Sequence, residues 1–159
     1  MSGRYTDTMT APDHGLVVYH GTRTRLDTLD PGKTLDGGIH FGTIEQAQMR
    51  NSQWIYEARL NFDGGRVRRS RDRGGEWKKR IADAKASGFK AIVYLNRYEG
   101  IPYERVVQAQ ADGVDLDKLT DSQFRKRVPE AKDSWIVFDP ASFTIVRVLE
   151  GKPARRPGP

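Results

Sequence analysis

Leu16-Val17-Val18-Tyr19-His20-Gly21-Thr22-Arg23 opens with a short apolar, β-branched run closed by a glycine, and it reads as a buried strand. Gly37-Gly38-Ile39-His40-Phe41-Gly42 is a second, shorter strand bounded by glycines. Thr43 then offers an N-cap with Gln46 at the capping-box spacing, which starts a helix reaching Asn51. Further strands are expected at Trp54–Leu60, Lys90–Asn96, Ser134–Phe138 and Phe143–Leu149. Helices are expected at Glu76–Ser87, where Trp77, Ile81 and Ala84 recur at helical spacing, and at Leu116–Arg127. Many short strands, few helices and no βαβ rhythm predict an α+β domain built around mostly antiparallel sheets.

The chain has 159 residues, one domain's worth, and 27 Lys+Arg against 21 Asp+Glu give a formal charge of +6. Residues 1–13 are polar and patternless and 150–159 (EGKPARRPGP) are rich in proline, so both read as disordered and the folded unit is 14–149. No apolar run approaches the roughly 18 residues of a membrane helix, and the N-terminus lacks the segments of a secretion signal, so a soluble, cytoplasmic protein is expected. With no cysteine, disulfide scaffolds, thiolate zinc sites and Cys nucleophiles are excluded. Eight basic residues lie between Arg66 and Arg80 against Asp72 and Glu76, so this stretch alone carries a net +6. Such density attracts an acidic macromolecule or nucleic acid, although a solvated loop running into a helix face would look the same.

Several familiar motifs fail. Pro31-Gly32-Lys33-Thr34 ends like a phosphate-binding loop, but the first glycine would have to stand at 27, which is Asp27. No dinucleotide-binding glycine pattern, zinc-hydrolase helix or serine-hydrolase elbow occurs, and His14, His20 and His40 have no metal-ligand spacing, so no metal is assigned. His20 and Thr22 have the i, i+2 spacing of a two-histidine phosphoesterase strand, whereas His40 and Thr43 are i, i+3 and would face opposite ways on a regular strand.

Tyr19-His20-Gly21-Thr22-Arg23, then Gly38-Ile39-His40-Phe41-Gly42 before a capped helix, then Ser134-Trp135-Ile136-Val137-Phe138-Asp139 stand in the order of three motifs. On these the chain resembles the ADP-ribosyltransferase superfamily, in its diphtheria-toxin and poly(ADP-ribose) polymerase branch. The resemblance spans about 16–149. It implies split antiparallel sheets with a few flanking helices, NAD as a substrate, and mono-ADP-ribosyl transfer to a protein or nucleic acid by a bacterial or phage effector or toxin, acting in its own cytoplasm or delivered into a target cell.

The resemblance also assigns roles. His20 bonds the adenosine-side ribose, Gly21 brings backbone donor and acceptor to the nicotinamide carboxamide, Thr22 bonds the carboxamide, and Arg23 reaches the pyrophosphate. Ile39, His40 and Phe41 form the second strand of the pocket, with His40 in place of a stacking tyrosine. Trp54 is the nearest candidate for the second stacking aromatic. Ser134 stands where the family has a glutamate that stabilises the oxocarbenium-like centre, and serine brings no charge. Asp133, Glu99 and Glu104 are candidate replacements, with Glu99 favoured because it follows a strand on a loop able to fold over the pocket. Two other readings stay open: transfer of an RNA 2′-phosphate to NAD on the same fold, suggested by the paired His20 and His40, and a catalytically inactive module that binds polyanions through Arg66 to Arg80.

Overall fold

The computed structural model describes residues 15–151. The expected disordered segment 1–13 and residues 152–159 of the expected tail 150–159 lie outside the described residues, whereas Glu150, at the start of that tail, ends a strand. In chain order the strands are β1 (Leu16–Thr22), β2 (Ile39–Phe41), β3 (Trp54–Leu60), β4 (Arg66–Arg69), β5 (Phe89–Leu95), β6 (Asp133–Val137) and β7 (Phe143–Glu150). The α-helices are α1 (Ile44–Gln48), α2 (Trp77–Ala86), α3 (Tyr103–Ala111) and α4 (Asp121–Arg127).

The strands form two sheets, one ordered β1-β3-β7 and one β2-β6-β5-β4. Every pairing is antiparallel except β4 with β5, which is parallel. The chain is therefore α+β, but the expectation of no βαβ rhythm is corrected: β4, α2 and β5 form one such unit. The pattern is faint because β4 is an edge strand whose one apolar residue, Val67, is buried between arginines.

Side-chain alternation sorts the second sheet into two faces. Val93, Trp135 and Val137 join Val18, Phe41 and Leu60 in the core between the sheets. Ile92, Tyr94 and Ile136 point the other way, onto Ile81 and Ala84 of α2. Ser134 shares that second face with its register partner Tyr94, which is how a buried hydroxyl arrives beside the site.

The helices depart from expectation in three places. The helix expected to reach Asn51 stops at Gln48, and residues 49–51 form a turn. Leu116–Arg127 divides into a 3-10 turn (Leu116–Lys118) and α4, because Thr120 caps α4 with Gln123 in a capping box. The segment Tyr103–Ala111, to which the sequence reading assigns no element, is α3, which has Pro102 at its N-cap and packs through Val106 and Ala109. Among the described residues no helix is long and apolar enough to cross a membrane.

Candidate functional site

The two sheets meet along a seam between β1 and β2. Tyr19 and Gly42 exchange two backbone hydrogen bonds of 2.8 Å across it. Because N–H and C=O groups repeat their direction every second residue on a strand, those of Gly21 face the same edge as those of Tyr19. The backbone bridge does not continue to Gly21, and the strands open onto a pocket walled by Gly21, His40, Gln46, Arg50, Glu99 and Ser134, among others. A Cβ on Gly21 would collide with the Ser52 hydroxyl and come within 2.9 Å of the Ala47 carbonyl. Only glycine lets the end of α1 close over β1 here. The free space is about 10 Å³, room for about one water. It adjoins a wider cleft of about 570 Å³ that shares His40, Arg50, Tyr94 and Glu99 and adds Arg73, Trp77, Asn96 and Tyr98.

A continuous polar network runs under the pocket. Ser134 donates to Gln46 Oε1 at 2.7 Å and accepts from Asn96 Nδ2 at 3.0 Å. Asn96 Nδ2 also donates to Glu99 Oε1 at 3.0 Å, while its Oδ1 accepts from the amides of Tyr98 and Glu99 at 3.0 and 2.8 Å. One asparagine thus shapes the loop after β5 and ties the Glu99 carboxylate to Ser134. The other Glu99 oxygen lies 3.4 Å from Arg50 Nε. Gln46, buried at the third position of α1, completes the chain by accepting from the Thr43 amide at 3.0 Å and donating to the Lys132 carbonyl at 3.2 Å.

The two histidines are differently placed. His20 lies on the opposite face of β1 from Tyr19 and Gly21, its ring edge-on to Phe41 at 6.0 Å. Its Nδ1–H donates to the His40 carbonyl at 2.7 Å, a tautomer fixed by that acceptor. Burial pushes its imidazole down to about 4, with the carbonyl bond opposing and the Arg50 charge adding to the shift. His20 is therefore neutral at pH 7, with Nε2 left as an acceptor. His40 holds Nε2 2.6 Å from Asp36 Oδ2. Burial pushes the Asp36 carboxyl up, but the bond from His40 and the Gly38 amide outweigh it and leave it below the ordinary range.

Of the carboxylates considered, Glu99 lines the pocket. Asp133 points away into a two-pronged pair with Arg69, at 3.1 and 2.6 Å, and Glu104 sits in the first turn of α3. Ser134 is in the pocket wall, where its one O–H is committed to Gln46 and its oxygen accepts from Asn96, so it holds the network together. Ile39 is 2% exposed and belongs to the core, whereas Phe41 both packs on Phe143 and lines the pocket. Thr22 donates to the Thr24 carbonyl, and Arg23 is exposed beyond the strand end. Trp54 does not reach the pocket: it packs beside the core with the Arg25 guanidinium 5.1 Å over its ring. The aromatic walls are instead Tyr19, Phe41 and Tyr94, with Trp77 and Tyr98 in the outer cleft. Thr43 is an N-cap beyond the end of β2, so strand alternation does not set its direction.

Sequence reasoning missed Asp36, Gln46, Arg50 and Asn96. Only Asn96 carried a local signal, an Asn-x-x-Glu-Gly turn after a strand. The basic stretch also resolves into parts. Arg66 and Arg68 lie over the Phe89 ring at 4.2 and 4.4 Å, and Arg69 pairs with Asp133. Arg71, Arg73, Lys78, Lys79 and Arg80 line a groove against α2.

Compared with known proteins, the chain matches no family model, no curated protein and no solved structure, so its functional reading rests on this geometry.

Proposed function

We propose that this chain is an NAD-dependent mono-ADP-ribosyltransferase with an ADP-ribosyltransferase-like fold, acting on an acidic macromolecular acceptor. The observation that carries the proposal is the opening of the seam, where the free backbone edge of Gly21 and the carboxylate of Glu99 face one pocket. A nicotinamide carboxamide needs one backbone donor and one acceptor, which Gly21 offers. Breaking the nicotinamide–ribose bond returns the pyridinium to a neutral base and leaves positive charge on the ribose, so no general acid is required. Glu99, held by Asn96, supplies fixed negative charge to that centre. His20 is in the lining of neither the pocket nor the wider cleft and projects from the other face of β1; in this reading its neutral imidazole accepts through Nε2 from the adenosine-side ribose, outside the nicotinamide pocket.

Nicotinamide does not fit the pocket until its mouth widens. Arg50 is the gate: its side chain is 47% exposed and its pair with Glu99 is 3.4 Å long. Such surface pairs contribute about 0–1 kcal/mol, small beside the roughly 8 kcal/mol of a micromolar ligand. The same closed pocket favours a second reading, a catalytically inactive polyanion-binding module. Nicotinamide release separates the two. Glu99→Gln should lower it by about 10²–10³ with circular dichroism unchanged, while Glu104→Gln leaves it intact. Equal release from wild type and Glu99→Gln, or none from wild type, would reject the assignment.

A further inference from the structure

We infer that the groove between the 70–76 loop and α2 is the track of a single-stranded nucleic acid, the acceptor that it leads into the cleft beside Glu99. This inference rests on the transferase reading. The groove is about 1080 Å³, and it is lined by five cations, Arg71, Arg73, Lys78, Lys79 and Arg80, against two carboxylates, Glu76 and Asp83, with Asp72 also close to Arg80.

The chemistry of the lining separates a nucleic acid from an acidic protein. Protein interfaces take their affinity from buried aromatic or aliphatic anchors, and exposed ion pairs at a rim add little. The one apolar side chain in this lining is Ala82. A phosphate chain needs no apolar anchor, because each neutralised phosphate releases condensed counterions. Two of the five cations are also held in place: Arg80 stacks over Trp77 at 4.0 Å and donates to the Arg71 carbonyl at 2.5 Å, and Arg71 itself donates to the Asp117 carbonyl. Fixed guanidinium groups lose less freedom on binding.

The groove also leads somewhere. Arg73 lines both it and the cleft of about 570 Å³ where Glu99 lies, and Trp77 and Tyr98 stand in the cleft wall. Tyr98 is 50% exposed. A cationic track running onto an exposed aromatic ring, here Tyr98, is the arrangement on which an unpaired base stacks, while Trp77 is already covered by Tyr94 and Arg80. A duplex keeps its bases stacked inside and cannot offer one to the cleft, so the single strand is the form that fits.

Fluorescence anisotropy of the full chain with a labelled oligothymidylate of about 15 nucleotides tests this. The duplex of equal length and poly-glutamate serve as competitors, at salt from about 50 to 200 mM. The single strand should bind tightest, and weaken by an order of magnitude or more over that salt range. Lys78→Glu with Lys79→Glu should lower its affinity by about tenfold or more and flatten the salt slope by about one per lost phosphate contact. Tyr98→Ala should weaken the single strand by about fivefold or more and leave the duplex unchanged. Duplex or poly-glutamate binding as tight as the single strand, or an oligonucleotide affinity that the paired charge reversals do not change, overturns the inference. NAD titrated into the Lys78→Glu, Lys79→Glu protein keeps the two ideas apart. Retained NAD binding with undiminished oligonucleotide binding rejects the track alone, whereas absent NAD binding in wild type rejects the transferase reading.

Discussion

Asn96 is 2% exposed and satisfies its entire amide: two donor bonds to Ser134 and Glu99, two acceptor bonds from loop amides. A carboxylate held this way needs no rearrangement when positive charge develops next to it. His20 carries the second residue-scale consequence. Its folded pKa of about 4 lies below the ordinary 6.5, so between these values the unfolded chain binds the extra proton. Stability from this group is fully present above about pH 6.5 and is lost as pH falls toward 4, by at most about 3 kcal/mol. Urea midpoints measured from pH 7 to 4 should therefore fall, and fall less in His20→Gln, which cannot charge. Parallel profiles for the two proteins would show that His20 does not titrate as its burial dictates.

At the scale of elements, the same capping box occurs twice in different surroundings. In α4, Thr120 and Gln123 exchange their bonds in solvent. In α1, Gln46 does the same for Thr43 but is buried, and also accepts from Ser134 and donates to Lys132. Removing an exposed cap partner costs about 1 kcal/mol or less, whereas stranding buried partners adds about 1–3 kcal/mol. Gln46→Ala should lower unfolding free energy by about 2–4 kcal/mol and Gln123→Ala by less than about 1, read from urea denaturation; equal costs would contradict the network. Thr43-x-x-Gln46 was legible as a helix start, but its burial was not, because nothing local reports that β6 brings Ser134 against it. The elements that could be read were those with dense apolar periodicity, such as β3 and β5. Those that could not were β4, with one apolar residue among arginines, and α3, entered from Pro102 without a side-chain cap.

For the molecule as a whole, the decisive feature is that two sheets meet at one short bridge and separate immediately beyond it. The bridge residues Tyr19 and Gly42 lie within the two segments that the sequence reading picks out, so the strands that form the seam were legible. Its contents were less so. Glu99 reaches the pocket through a loop held by Asn96, and Asp36 reaches His40 from the loop before β2; both are tertiary arrangements without periodicity. Trp54 was misplaced because it is paired in register with Thr22 across the sheet, and a strand partner cannot also cross the seam. The basic stretch was visible as a run, but only the fold divides it into arginines lying over Phe89 and a groove beside the cleft. The central claim is that the open seam binds NAD, and calorimetric titration of NAD into wild type and His20→Ala tests it most directly. The account predicts saturable binding by wild type that His20→Ala abolishes while its circular dichroism is preserved; no binding by wild type, or equal affinity in both proteins, would contradict it.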